Sequence, residues 1–305
     1  MTVLTGVPVE WDRPRALAEL LVGAPESSVT AAGVAAARLE LERSLPAHDP
    51  YGRSGITLRL DRRRFAALRN QPGASVDTPF TWSPLRCRRA IGLDALDRCV
   101  RGRATTASQA VADVLADAEA RVRAPGAGHD IPWWARWWCR LPLGGRAVVQ
   151  AEAVVWTVQL WTGIDWERIG GRAVVVTRDE RVPIGAAPWC RLEGRVDLRV
   201  AATSGGVAHL VVAGGTAPAD WAMNLGFPAL VSALARGPAA GAALVLGWWP
   251  ESGQVRQLRV DDAALAAMAG AVVSAAGSWW RHARLHPGPD PAVAVSHAEP
   301  RTAGR

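Results

Sequence analysis

The sequence predicts a mixed α/β fold, of the α+β kind, in which helices flank a mixed central sheet and a mainly helical region precedes it. Two observations predict this class. After residue 146, segments with helix and strand periodicity follow one another in the order α-β-β-β-α-β, with a further strand and helix behind them. In addition, 305 residues with 49% hydrophobic content are enough to bury a large core.

The N-terminal region, residues 1–130, is predicted to be mainly helical and rich in arginine. Thr106 or Ser108 is available to cap its clearest helix, and a Pro/Gly-rich loop at 123–132 predicts a domain boundary. The predicted elements are helices at 15–21, 29–45 and 105–123, a turn at 48–55 and a strand at 56–60.

The second region, residues 131–285, is predicted to hold the central sheet. Asp261 and Asp262 open its last helix, at the end where the helix dipole favours negative charge. We expect the remaining residues, 286–305, to be a disordered tail. The predicted elements are helices at 146–166, 218–236 and 261–280, and strands at 172–177, 190–201, 207–213, 242–248 and 255–260.

Four tryptophans within six residues, Trp133, Trp134, Trp137 and Trp138, open this second region. Aromatic rings at such density can stack on nucleic-acid bases. Their spacing of three and four also fits one face of a helix turned toward a core. The second interpretation is favoured.

The chain contains no lysine, so all 35 of its basic residues are arginine. Between Arg53 and Arg103, twelve arginines face four acids, a surplus of +8, while the whole chain carries +7. Guanidinium groups suit phosphate oxygens, so this segment is a candidate nucleic-acid surface. A solvated face, or pairing with acids of a partner, explains the same charges. The candidate phosphate ligands are Arg62, Arg63, Arg64, Arg86, Arg88 and Arg89.

Cysteine spacing and the first residues of the chain predict a cytoplasmic protein. Cys87, Cys99, Cys139 and Cys190 lie far apart, without the close pairs typical of zinc or iron–sulfur sites. The N-terminus has acids where a signal peptide needs an apolar run. The uncharged segment 263–280 is mostly alanine and glycine, so we expect a buried helix there and no membrane association.

Three stretches of the second region resemble motifs of one nuclease superfamily. Gly194-Arg195-Val196-Asp197 lies in the second predicted strand, residues 212–216 end the third, and residues 224–230 lie in the helix that follows. Together with the order of elements, they resemble the RecB-type branch of the PD-(D/E)XK nucleases. The resemblance covers residues 146–280, with weaker support upstream at 80–89.

The resemblance implies a metal-binding role for Asp197 and losses around it. Ala213 and Gly215 stand where the family has its second carboxylate and its lysine, and Asn224 stands where it has glutamine. Glu152, on the preceding helix, would match a further acidic ligand. The resemblance therefore implies a nuclease fold with a degenerate active site and no confident catalytic residue.

Magnesium binding and hydrolysis need more than this motif retains. The hard cation takes several oxygen ligands, and removing a carboxylate together with an ammonium should remove several kcal/mol of transition-state stabilisation. Mg²⁺ or Mn²⁺ would bind at Asp197 and Glu152 only if the metal site is retained. A simpler interpretation of Asp197 is a structural ion pair with Arg195 or Arg199, which the alternation of a strand places on the same face.

Residues that flank the lost motif offer one route to a rearranged site. His209 and Asp220 would have to turn toward Asp197, although a lone histidine on an alternating strand is usually half-exposed and Asp220 lies where helix N-caps occur. Other catalytic signatures, such as a nucleophile elbow, a phosphate loop or a zinc-protease helix, are absent from the sequence.

Three hypotheses follow for function. The first is a catalytically degenerate RecB-like protein that acts as a subunit for nucleic-acid binding, with DNA as the expected ligand, or for assembly. The second is a protein-interaction scaffold without nucleic acid. The third is an active metal-dependent nuclease with a displaced site, and fold analogy alone does not choose among them.

Overall fold

The computed structural model describes residues 13–45, 58–70, 83–124, 131–176, 180–185, 190–238 and 241–285. The predicted turn at 48–55, residues 125–130 of the predicted boundary loop and the predicted tail at 286–305 lie outside these ranges. The helices are α1 (Arg13–Val22), α2 (Ala31–Ser44), α3 (Arg62–Asn70), α4 (Pro84–Val100), α5 (Ala107–Arg123), α6 (Trp133–Cys139), α7 (Leu143–Thr162), α8 (Trp166–Ile169), α9 (Trp221–Arg236) and α10 (Asp262–Leu285). The strands are β1 (Leu58–Asp61), β2 (Ala173–Val175), β3 (Glu180–Ile184), β4 (Cys190–Gly194), β5 (Leu198–Ala201), β6 (Val207–Val212), β7 (Leu244–Trp249) and β8 (Gln254–Arg259).

A five-stranded mixed sheet forms the centre of the molecule and confirms the predicted α/β class. Its strand order is β2-β5-β6-β7-β8. The β6–β7 pair is parallel and the other three pairs are antiparallel. Parallel neighbours need a crossover connection, and α9 provides it between β6 and β7.

A smaller sheet, which the sequence did not predict, joins the two regions of the chain. Its order is β1-β4-β3, with β1 parallel and β3 antiparallel to β4. The register places Asp61, the last residue of β1, opposite Glu193. The helix that follows β1 therefore begins beside the end of β4.

The single strand predicted at 190–201 is wrong, because two strands in different sheets share this segment. The chain leaves the small sheet at Gly194 and enters the central sheet at Leu198. A Cβ atom at Gly194 would lie only 3.0 Å from the Cβ atom of Val231 on α9. The strand therefore passes close to α9 here, where a side chain would need its neighbour to give way.

Helices cover both faces of the central sheet, as the sequence predicts. One face packs on α1 and α7 through residues such as Leu17 and Leu160, and the other packs on α9 and α10 through residues such as Leu230 and Val272. Both faces of the inner strands are consequently buried.

The tryptophan-rich segment is helix α6, and its described side chains support the core interpretation. Trp134 and Trp138 are buried among α4, α5 and α7. The same apolar cluster includes residues from both sides of the predicted boundary near 130. Helix α5 begins where predicted, because the Thr106 side chain accepts a hydrogen bond from the Gln109 backbone N–H.

Helix α10 is long and apolar enough to cross a membrane by length and composition alone. Half of the relevant stretch is buried inside the fold, and the helix packs against α2 and α9. Core helices of soluble proteins have this composition too.

Candidate functional site

Three of the nuclease-like motif residues, Asp197, Ala213 and Gly215, lie at the carboxyl ends of β6 and β7. Asp197 lies between β4 and β5, and its backbone joins the sheet through Leu210 and Val176. Its carboxylate accepts a hydrogen bond of 2.7 Å from the Val212 backbone N–H, at the end of β6. Open α/β sheets bind their ligands at such carboxyl ends, so a functional site is expected here.

Arg89 of α4 occupies the position in front of this carboxylate. Its Nη2 donates to Oδ1 at 2.8 Å and to Oδ2 at 2.7 Å of Asp197. The Nε of Arg195 lies 3.9 Å from Oδ1. Because Asp197 is almost fully buried, these groups and the Val212 N–H surround both of its oxygen atoms.

The charges around Asp197 decide its ionisation. Burial by itself would raise the pKa of Asp197, but the positive charges of Arg89 and Arg195 and the hydrogen bonds from Arg89 and Val212 outweigh it and hold the pKa below its usual range. The carboxylate is therefore ionised at neutral pH and its charge is compensated from within the chain.

Arg62, the first residue of α3, adds a further positive charge to this group. The pairing of β1 with β4 puts it beside the end of β4. Burial, followed by the positive charge of Arg89, lowers the pKa of Arg62 to about 10, so it stays protonated. Among the described residues, none accepts a hydrogen bond from its guanidinium group.

A second set of ion pairs lies next to the first. Arg88 has its Nη1 at 4.0 Å from Glu152 of α7 and its Nη2 at 3.7 Å from Glu251, which follows β7. The Gly215 backbone N–H donates to Glu251 at 2.7 Å. Of these adjacent arginines, Arg89 therefore binds Asp197 and Arg88 binds Glu152. Arg88 also contacts Glu251, which holds the loop after β6.

Ala213 and Gly215, where the resemblance implies lost residues, have geometry that suits the residues present. Ala213 continues the strand, since its N–H donates to the carbonyl of Trp248 at 2.9 Å. Gly215 has φ +74, a left-handed conformation that glycine adopts freely and a lysine would adopt only with strain.

The residues present do not fit a magnesium site. The carboxylate of Asp197 is surrounded by donors, and Glu152 is paired with Arg88. Within the described parts of the chain, no group of three His, Cys, Asp or Glu side chains is arranged to hold a metal ion.

Residues 224–230, the third stretch of the resemblance, lie in α9, where Asn224 makes contacts within the chain. Asn224 donates from Nδ2 to the Asp220 carboxylate at 3.0 Å, and Asp220 also pairs with Arg69 of α3 at 3.5 Å. Asp220 occupies the N-cap position of α9, as expected, but its side chain makes no cap hydrogen bond. Pro228 lies inside the helix and is buried.

His209 is fully buried, so the expectation of a half-exposed histidine was wrong. Neither ring nitrogen has a hydrogen-bond partner. Burial, followed by the charges of Arg199 and Arg236, lowers its pKa to about 3, so it is neutral. Both arginines pair with Glu180 of β3. Of the two arginines predicted as alternative partners of Asp197, Arg195 therefore lies beside it, whereas Arg199 pairs with a strand that the sequence did not predict.

The candidate phosphate ligands divide into two groups. Arg88 and Arg89 are engaged with acids of the chain, and Arg86, near the start of α4, is half-buried. Arg62, Arg63 and Arg64 form the first turn of α3, where Arg63 is exposed. Within the described residues, the four arginines of the β1–α3 junction make no ion pair; they are Arg59, Arg62, Arg63 and Arg64.

Sequence reasoning missed the partners that close the site. Arg89 was expected to bind phosphate, and no spacing in the sequence relates it to Asp197, 108 residues later. Glu251 was not singled out, since it lies in a turn outside the motif.

No protein-family model, curated protein or solved structure matches this chain.

Proposed function

We propose that this chain is a catalytically degenerate member of the RecB-type PD-(D/E)XK nucleases that binds nucleic acid. The order of elements supports the fold part of this proposal. Helix α7, strands β2, β5 and β6, helix α9 and strand β7 follow the expected α-β-β-β-α-β order, with the β3–β4 hairpin inserted between the first two strands. Strand β8 and helix α10 then follow as the appended pair.

The observation that carries the loss of catalysis is the contact between Arg89 and Asp197. A guanidinium group stands against both carboxylate oxygens, so a fixed positive charge takes the place in which the family would hold a metal ion. A guanidinium group is not a Lewis acid, so it cannot coordinate a water molecule, lower its pKa and orient it for attack. A metal ion performs this role in hydrolysis.

The arginines at the start of α3 support nucleic-acid binding. Arg59, Arg62, Arg63 and Arg64 carry four positive charges within six residues, and only Asp61 lies among them. The Asp61 side chain accepts a hydrogen bond from the Arg64 backbone N–H at 2.8 Å, so it caps the helix. The resulting local surplus attracts a phosphate backbone through counterion release. A cytoplasmic location, which the four free cysteines support, belongs to the same proposal.

The test is a binding and cleavage assay on the full chain with labelled single-stranded and duplex DNA. Binding is measured by fluorescence anisotropy across a salt series, and cleavage is scored in magnesium, in manganese and in chelator. We expect salt-sensitive binding without cleavage. Replacing Arg62, Arg63 and Arg64 together by glutamine should weaken binding about tenfold or more at low salt and reduce the salt slope by about 2.

A matched control keeps the net charge equal. Arg172 lies directly before β2, and Arg256 and Arg259 lie on β8, at the two edges of the central sheet. Replacing these three by glutamine removes the same charge from the chain. This variant should bind almost as the unchanged protein does. Equal losses in both variants, or no binding at all, would overturn the assignment of the surface, and metal-dependent cleavage abolished by Asp197→Ala would establish an active nuclease instead.

Assembly, the other role in this proposal, is favoured by one separate observation. Helix α7 exposes several large apolar side chains along one face. Exposed contiguous apolar surface is typical of interaction sites.

A further inference from the structure

Helix α7 has two faces of similar hydrophobicity, and within the described parts of the chain only one of them is covered. Val149, Ala153, Thr157 and Leu160 are buried. On this side the helix packs against α4 and α5. The opposite side faces solvent.

Exposed positions recur every seven residues along this side of α7. Val148, Val155 and Val158 are 56%, 58% and 41% exposed, and Ala151 and Thr162 are exposed with them. Positions 148, 151, 155, 158 and 162 alternate spacings of three and four, which is the a/d pattern of helices that pack against another helix. Leu143, at the start of the helix, is 83% exposed and extends the apolar surface.

The same face carries no charge, although 21% of all residues in the chain are charged. The two charged residues of α7 are directed to neighbours within the chain. Arg146 pairs with Glu119 of α5 at 3.1 Å, and Glu152, at the edge of the face, pairs with Arg88. A partner of opposite charge would find nothing to bind here.

We propose that a second copy of this chain covers the face, with α7 packed against α7 about a twofold axis. An isologous contact needs a patch that complements itself. A neutral a/d seam meets this condition, because two copies of a chain with net charge +7 repel each other wherever their charged surfaces meet. Gly144 and Ala151 lie on the seam, and their small size allows the two helix axes to approach closely.

The size of the seam sets the strength of the association. A helix of 20 residues is about 30 Å long. One such helix pair stays below the roughly 1,200 Å² that stable specific interfaces bury, so we expect a dissociation constant on the order of micromolar. This interface does not rest on nucleic-acid binding, and it can fail or hold independently of that function.

Sedimentation velocity of the full chain over a micromolar concentration series tests the interface. We expect a reversible monomer–dimer equilibrium. Val155→Glu should weaken it at least about tenfold, because each copy would bury an uncompensated carboxylate in the seam. Val174→Glu is the matched control, since Val174 is 54% exposed on β2 and should leave the equilibrium unchanged.

A cysteine variant locates the axis. Ala151 lies near the middle of the seam, where a residue meets its own copy in either helix orientation, so Ala151→Cys should be joined to its copy by a short bifunctional maleimide. Val174→Cys and the unchanged chain, whose four cysteines are buried or half-buried, give the background. A monomer at all concentrations overturns the proposal. So does a dimer that Val155→Glu leaves intact, because such a dimer uses another surface.

Discussion

At the scale of single residues, Asp197 is stabilised in its ionised form by Arg89, which donates hydrogen bonds to both carboxylate oxygens. Replacing Arg89 by methionine should destabilise the fold by about 3 kcal/mol, because it leaves a buried carboxylate without its main countercharge. Urea denaturation measures the loss. Arg63→Met, at an exposed position without an ion pair, should change the free energy of unfolding by less than about 0.5 kcal/mol.

A double variant separates the ion pair from packing. Asn at position 197 keeps an oxygen for the Val212 N–H but carries no charge, so it needs no guanidinium beside it. Arg89→Met combined with Asp197→Asn should therefore be more stable than Arg89→Met alone. Additive losses would show that the two side chains do not interact energetically.

Asp94 of α4 gives the protein a pH-dependent stability. Burial raises its pKa to about 6 from an ordinary value of 3.8, against the lowering effect of a hydrogen bond from Trp134. Because the folded state holds this proton more tightly, the stabilisation is complete below pH 3.8 and is lost as the pH rises through 6. Asp94→Asn should raise the free energy of unfolding at pH 7 by about 1–3 kcal/mol and change little near pH 3.5. An equal gain at both values would contradict the raised pKa.

The motif residues show where prediction from sequence reaches its limit at this scale. The sequence predicts Asp197 in one strand and Ala213 and Gly215 at the end of the next, and the antiparallel pairing of β5 with β6 brings these positions to one end of the central sheet. The identity of the countercharge was not predictable, since Arg89 reaches Asp197 from a helix 108 residues away. Only packing of α4 on the sheet brings the two residues together.

At the scale of elements, α4 and α7 pack so closely that their contact requires a glycine at position 92. A Cβ atom at Gly92 would lie 2.4 Å from a ring carbon of Trp156 and 3.1 Å from the hydroxyl of Thr157. Gly92→Val should destabilise the fold by about 2–3 kcal/mol, because the indole must move in a packed interior. It should also disturb the ion pair between Arg88 and Glu152, which these two helices carry.

A second glycine provides the control for that variant. Gly270 lies in α10, and a Cβ atom there would meet nothing within 4 Å. Gly270→Ala should stabilise the protein by up to about 1 kcal/mol through helix propensity. Thermal and urea unfolding of the two variants measure both signs, and a destabilising Gly270→Ala would mean that α10 is packed differently.

Elements with strong periodicity were predictable, and those defined by long-range pairing were not. Helix α5, with its Thr106 cap, and strands β6 and β7 were found at almost their observed positions. The sequence does not predict β3, and it predicts a single strand over residues 190–201 where the structure has β4 and β5. The alternation in this segment continues across the break at residues 195–197, so nothing local reveals the change of sheet.

At the scale of the whole molecule, the closed site predicts indifference to divalent metal ions. A ligand that binds the folded state alone raises its stability. Because Asp197 and Glu152 are held by arginines, the melting temperature should agree within about 1 °C in magnesium and in chelator. A magnesium-dependent rise that disappears in Asp197→Asn would show that Arg89 yields its place to the ion.

The pairing of β1 with β4 also has a consequence for synthesis of the chain. About 130 residues separate the two strands, so at the usual rates of translation β1 waits roughly 7 to 25 s for its partner to be made. During this interval Leu58 and Leu60 have no sheet to join, but the strand is short and carries Arg59 and Asp61 between and after them. Short strands with charged residues pair poorly with other chains. The nascent protein can thus carry an unpaired edge through this part of its elongation with little risk of aggregation.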